Sequence, residues 1–170
     1  QRLIRRVPIV DQLLAASAIV CANQSTRLSP DAVKGFLAAL LQALEELEDH
    51  FAGLSAVESH THLDSGKADV ANAIASTLAL LEKPRSSANS LGQSVLALSG
   101  PGMPLSAAIN LVLPVVINGG AATLVPDVNA PSCALALTEL CGQCGLPDGL
   151  FNVVYVRDPI ALQLVSQPGV

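Results

Sequence analysis

Four places in the chain have residue types and spacing for chemistry. Gly100-Pro101-Gly102 precedes an apolar run. Between a strand and a helix such a loop meets phosphate, because the helix start offers free N–H groups and glycine lets the backbone come close. Leu105 stands where the third glycine of G-x-G-x-x-G belongs, so a plain Gly/Pro turn accounts for these residues equally well. Asp127, in Pro-Asp-Val-Asn, has the chemistry to accept ribose hydroxyls after a second strand. A surface turn is its simpler explanation. Cys141-Gly142-Gln143-Cys144 has dithiol spacing. A redox pair wants its first Cys at a helix N-terminus, whereas this pair falls in a last turn, where the dipole has the wrong sign.

His60-Thr61-His62, with Asp64 beyond, has metal-ligand spacing. Such ligands end the first strand of a barrel of about 200 residues or more, and 170 residues led by a long helix do not build one. Loop histidines are the reading. Cys133 with the Cys141/Cys144 pair lacks a fourth zinc ligand nearby, so no metal site is expected. G-x-S-x-G, Walker A and H-E-x-x-H are all absent.

The elements that must position these residues follow from periodicity. Asp11 to Ala22 is a short amphipathic helix. Ser29-Pro30-Asp31 is a strong helix start. The apolar spacing Val33, Phe36, Leu37, Leu40, Leu41, Leu44, Leu47, Phe51 and Leu54 predicts one long helix, with Glu45, Glu46, Glu48 and Asp49 as its solvated face. A third helix begins at about Lys67, burying Val70, Ile74, Leu78 and Leu81. Pro84 to Gln93 reads as a loop. The second half alternates: strand 95–98, helix 104–117, strand 122–125, helix 131–144, strand 151–156, and a last helix from Asp158-Pro159. Three helices followed by βαβαβα is an α/β fold, half of a doubly wound parallel sheet. Its parts are a helical segment 1–83, a linker 84–93 and a nucleotide-binding-like segment 94–170, forming one compact domain.

Composition narrows the function. The net charge of −5 and the aromatic content of three Phe, one Tyr and no Trp remove both the basic footprint and the stacking platforms of nucleic-acid binding. Between Ser86 and Pro126 there is no Asp, Glu, Lys or Arg. Gly, Pro and Asn cut that stretch well short of a membrane span, so it reads as strands buried on both faces. Four Cys without a visible secretory signal are those of a reducing, cytoplasmic compartment.

Taken together, these segments make the chain resemble the N-terminal, cofactor-binding half of an aldehyde dehydrogenase nearly end to end. Val10-Asp11 to Ala22, Leu28-Ser29-Pro30, Gly66-Lys67 with Asp69-Val70, and Pro114 to Gly119 match the family pattern. Gly145-Leu146-Pro147-Asp148-Gly149-Leu150-Phe151-Asn152-Val153-Val154 is the most specific match. Leu98 to Leu105 falls on the family's Pro-Trp-Asn-Phe-Pro segment.

The resemblance also implies losses. Gly102 stands at the family's oxyanion-holding Asn, whose loss costs about 10²–10³ in rate. Pro101 replaces the Trp, while Val125 and Val128 replace the Lys and Glu that contact the adenosine ribose and its phosphate. The family's nucleophilic Cys lies in a downstream domain, and Cys21, Cys133, Cys141 and Cys144 do not align with it. This implies a degenerate copy with NAD or NADP binding weak or lost, like the second unit of two-unit, family-16-like members. Its partners would be the remainder of a larger chain, a protein partner or a homo-oligomer. In the enzyme alternative, N–H groups from Ser99 to Gly102 hold the pyrophosphate and Asp127 takes the ribose, inside a longer aldehyde-oxidising enzyme. A thiol switch at Cys141 and Cys144 is the third expectation.

Overall fold

The computed structural model describes residues 28–82, 94–100 and 102–155. The expected helix over 11–22, the linker over 84–93, the last helix after Asp158, Cys21 and Pro101 lie outside them.

Helix α1 (Pro30–Glu46) starts as its residues dictate: the Ser29 side chain accepts from the Ala32 N–H at 3.2 Å, and Pro30 fills the first helical position. Val33, Phe36, Leu37, Leu40 and Leu44 are buried on one stripe. The expected single helix through Leu54 is instead two, because the chain breaks at Leu47 and restarts as α2 (Glu48–Glu58). A continuous helix would hold four carboxylates close together across its turns. The break makes Glu48 and Asp49 first-turn residues of α2, where the helix dipole favours them. All four acids are exposed, and Leu47, read as core, is 39% exposed.

Helix α3 (Leu63–Glu82) begins four residues before the expected Lys67. Gly66 lies inside it because α2 crosses there. A Cβ at Gly66 would sit 2.1 Å from the Ala52 carbonyl oxygen, so glycine is required for the approach. The buried stripe is Gly66, Asp69, Val70, Ala73 and Thr77. Leu78, expected inside, is largely exposed.

The second half alternates as read. Strands β1 (Ser94–Leu98), β2 (Ala121–Val125) and β3 (Phe151–Val153) form a parallel sheet in the order β1-β2-β3. Leu98 pairs with Val125, and Thr123 with Asn152. β3 ends at Val153, short of the expected 156. Helices α4 (Pro104–Ile117) and α5 (Ser132–Gln143) connect the strands. The uncharged stretch supplies the centre: every residue of β2 is buried, and Leu105, Ile109, Val112 and Leu113 of α4 lie in one hydrophobic core with Phe36, Leu40, Phe51 and Val70 of the helical part. No described helix is long and apolar enough to cross a membrane.

Candidate functional site

The candidate site lies at the C-terminal ends of β1 and β2, where doubly wound sheets take their ligands. The first loop follows β1. Its Ser99 N–H donates to the Val125 carbonyl at 3.1 Å, carrying the sheet pairing one residue further. Gly100 and Gly102 are exposed, and a Cβ on either would meet nothing within 4 Å. Met103, the residue capping α4, has φ 50 and makes no side-chain cap bond.

The cap comes from elsewhere. Asp69 of α3, wholly buried, accepts from the Leu105 N–H at 3.0 Å, the Ser106 N–H at 2.9 Å and the Ser55 hydroxyl at 2.7 Å. A carboxylate at a helix start interacts with both free N–H groups and the dipole. The α4 N-terminus, expected to meet phosphate, therefore already holds an anion.

The second loop follows β2 and is built the same way. Val125 is buried, and Val128 is partly buried. Asp127 Oδ1 accepts from the Asn129 N–H at 2.8 Å, and its carbonyl accepts from the Ala130 N–H at 3.0 Å, so one carboxylate oxygen serves its own turn. The Tyr155 hydroxyl donates to the Val128 carbonyl at 2.8 Å. Pro131, which caps α5, makes no side-chain cap bond. Glu58 of α2, also buried, accepts from the Cys133 N–H at 3.0 Å and from the Ser132 N–H.

Asp69 and Glu58 carry the geometry, yet neither drew attention as a site residue in the sequence. The available signal was an acid inside an apolar helical stripe: Asp69 beside Val70 and Ala73, and Glu58 one turn beyond Ser55 and two beyond Phe51.

The thiols are poor nucleophiles. Cys133, Cys141 and Cys144 are free, the first two buried. Burial pushes all three pKa values up; at Cys133 the Glu58 carboxylate pushes further, and at Cys141 Cys144 does. His60 and His62 are exposed on the α2–α3 turn, His60 with φ 52. Among the described residues no group of three or more His, Cys, Asp or Glu could hold a metal ion. A cleft of about 370 Å³ opens between that turn and the β1–α4 loop, lined by Ser55, Ser59, Thr61, Ser65, Gly102 and Met103.

No family profile matches the sequence. Betaine aldehyde dehydrogenases of Mesorhizobium japonicum and Brucella ovis are each 43% identical over 53 residues, which are 31% of this chain and 11% of theirs. Among solved structures, glyceraldehyde-3-phosphate dehydrogenase of Methanocaldococcus jannaschii, complexed with NADP, superposes with TM-score 0.84 at 14% identity over 95% of this chain. A betaine aldehyde dehydrogenase double mutant of Staphylococcus aureus, complexed with NAD+, gives 0.83 at 17% identity over 98%. An NAD-dependent benzaldehyde dehydrogenase of Corynebacterium glutamicum gives 0.82 at 16% over 95%. The chain has the fold of the aldehyde dehydrogenases' NAD-binding half. This aldehyde-dehydrogenase-like unit spans about 40% of the length of those solved chains. The α/β architecture read from the sequence is the one observed.

Proposed function

We propose that this aldehyde-dehydrogenase-like unit is non-catalytic, serving assembly or protein interaction within a larger cytoplasmic chain or oligomer. The observation that carries the reading is Asp69, whose carboxylate accepts from two N–H groups at the start of α4. NAD or NADP does not fit the residues around it. The Ser99 N–H is used in the sheet, Val125 is buried without a charge, and Asp127 is turned into its own loop. Gly102 has no side-chain amide to hold an oxyanion, and the described thiols are held protonated by burial. Incubating the intact protein with NAD or NADP and a range of aldehydes should give no NADH or NADPH. Turnover proportional to protein concentration, and absent from a heat-treated sample, contradicts this.

The second reading is an NAD(P)-binding part of a longer oxidoreductase that converts aldehydes to carboxylic acids. The cleft beside Gly102 favours it, since a volume of about 370 Å³ suits a small organic molecule. It predicts measurable cofactor binding, which the first reading does not.

A further inference from the structure

The starts of α4 and α5 share a peculiarity. The residue capping each, Met103 or Pro131, makes no side-chain cap bond. Both caps are supplied from one place, the α2–α3 hairpin, by Asp69 to α4 and by Glu58 to α5. Those helix starts directly follow the two loops at the end of the sheet, Ser99–Met103 and Pro126–Pro131.

The hairpin is built so that its two carboxylates cannot shift independently. Its helices meet at Gly66 and Ala52 with no room for a methyl group. The turn is closed by Ser59 N–H to the Ser55 carbonyl at 2.9 Å and Thr61 N–H to the Ala56 carbonyl at 2.9 Å. The Ser55 hydroxyl bonds Asp69 directly, linking α2 to α3 beside the first cap. Packed interiors transmit displacement rather than absorb it. Each cap also includes a bond to the N–H of a buried residue (Leu105 and Ser106 for Asp69, Cys133 for Glu58), costly to leave unmade.

We propose that the α2–α3 hairpin is a positioning device which, through Asp69 and Glu58, fixes the β1–α4 and β2–α5 loops relative to each other as one piece. A displacement of one loop is then felt at the other through the hairpin, in addition to the Ser99–Val125 bond at the end of the sheet. Asp69 and Glu58 are positioning residues in this account, and it holds whether or not the loops bind a dinucleotide.

Amide hydrogen exchange on the intact chain tests it. Asp69→Asn should raise exchange several-fold at Leu105 and Ser106, and also at Ser132 and Cys133, whose N–H groups bond Glu58 instead. Glu58→Gln should produce the reciprocal pattern, with Leu124 of β2 protected in both. If either variant fails to fold, Ser55→Ala leaves both carboxylates in place and should raise exchange at both helix starts to a smaller degree. A rise confined to the helix start whose own partner was changed overturns the proposal, as does a rise spread evenly through β2.

Discussion

A Cβ added at Gly66 would lie 2.1 Å from the Ala52 carbonyl oxygen, whereas one added at Gly102 would meet nothing within 4 Å. The two glycines have opposite causes. Gly66 is required by the crossing of α2 and α3, where it packs against Ala52 and Ala56. Gly102 is required by nothing sterically: it sits exposed on the β1–α4 loop. Inside, the crossing of α2 and α3 leaves no choice of residue, whereas the loop after β1 leaves the residue at 102 sterically free. Retention of a fold in an aldehyde-dehydrogenase-like chain says little about whether its site is intact.

Five substitutions or measurements sharpen that contrast. Gly66→Ala should destabilise most, by roughly 3 kcal/mol in urea unfolding, because backbone rather than a flexible side chain must yield. Asp69→Ala should cost about 2–3 kcal/mol, since it strands two buried N–H groups and a hydroxyl. The buried thiols set a smaller, pH-dependent effect. Their folded pKa values lie above the ordinary 9.0, so the folded chain keeps protons that the unfolded chain releases. Stability from this source is full below about pH 9 and should fall as pH rises beyond it. Alkylation should reach half-buried Cys144 first, leaving Cys133 and Cys141 unmodified until unfolding. Gly102→Asn should change stability least, within about 0.5 kcal/mol. A large loss there would mean that Gly102 is a scaffold residue like Gly66, and would erase the comparison.

Much of this was readable in the residues. Ser29-Pro30 fixes the start of α1, the uncharged stretch supplies β1, α4 and β2, and the Gly145–Val154 segment leads into β3. The break at Leu47 was hidden because its spacing continues the apolar stripe, and only the clustering of Glu45, Glu46, Glu48 and Asp49 hinted at it. The expected start at Lys67 leaves Gly66 outside the third helix because its partner Ala52 is fourteen positions away, and sequence carries no marker for backbone-to-backbone contact. The losses proposed at Gly102, Val125 and Val128 rest on the family resemblance alone. The caps from Asp69 and Glu58 join residues 36 to 75 positions apart, and periodicity assigns a helix face without saying what faces it.

Isothermal titration calorimetry of the intact protein with NAD and with NADP tests the central claim, a retained fold without a working cofactor site. No heat of binding, or a Kd weaker than about 100 μM, roughly 5.5 kcal/mol of affinity, is the predicted result. Saturable binding of either nucleotide tighter than that would contradict it.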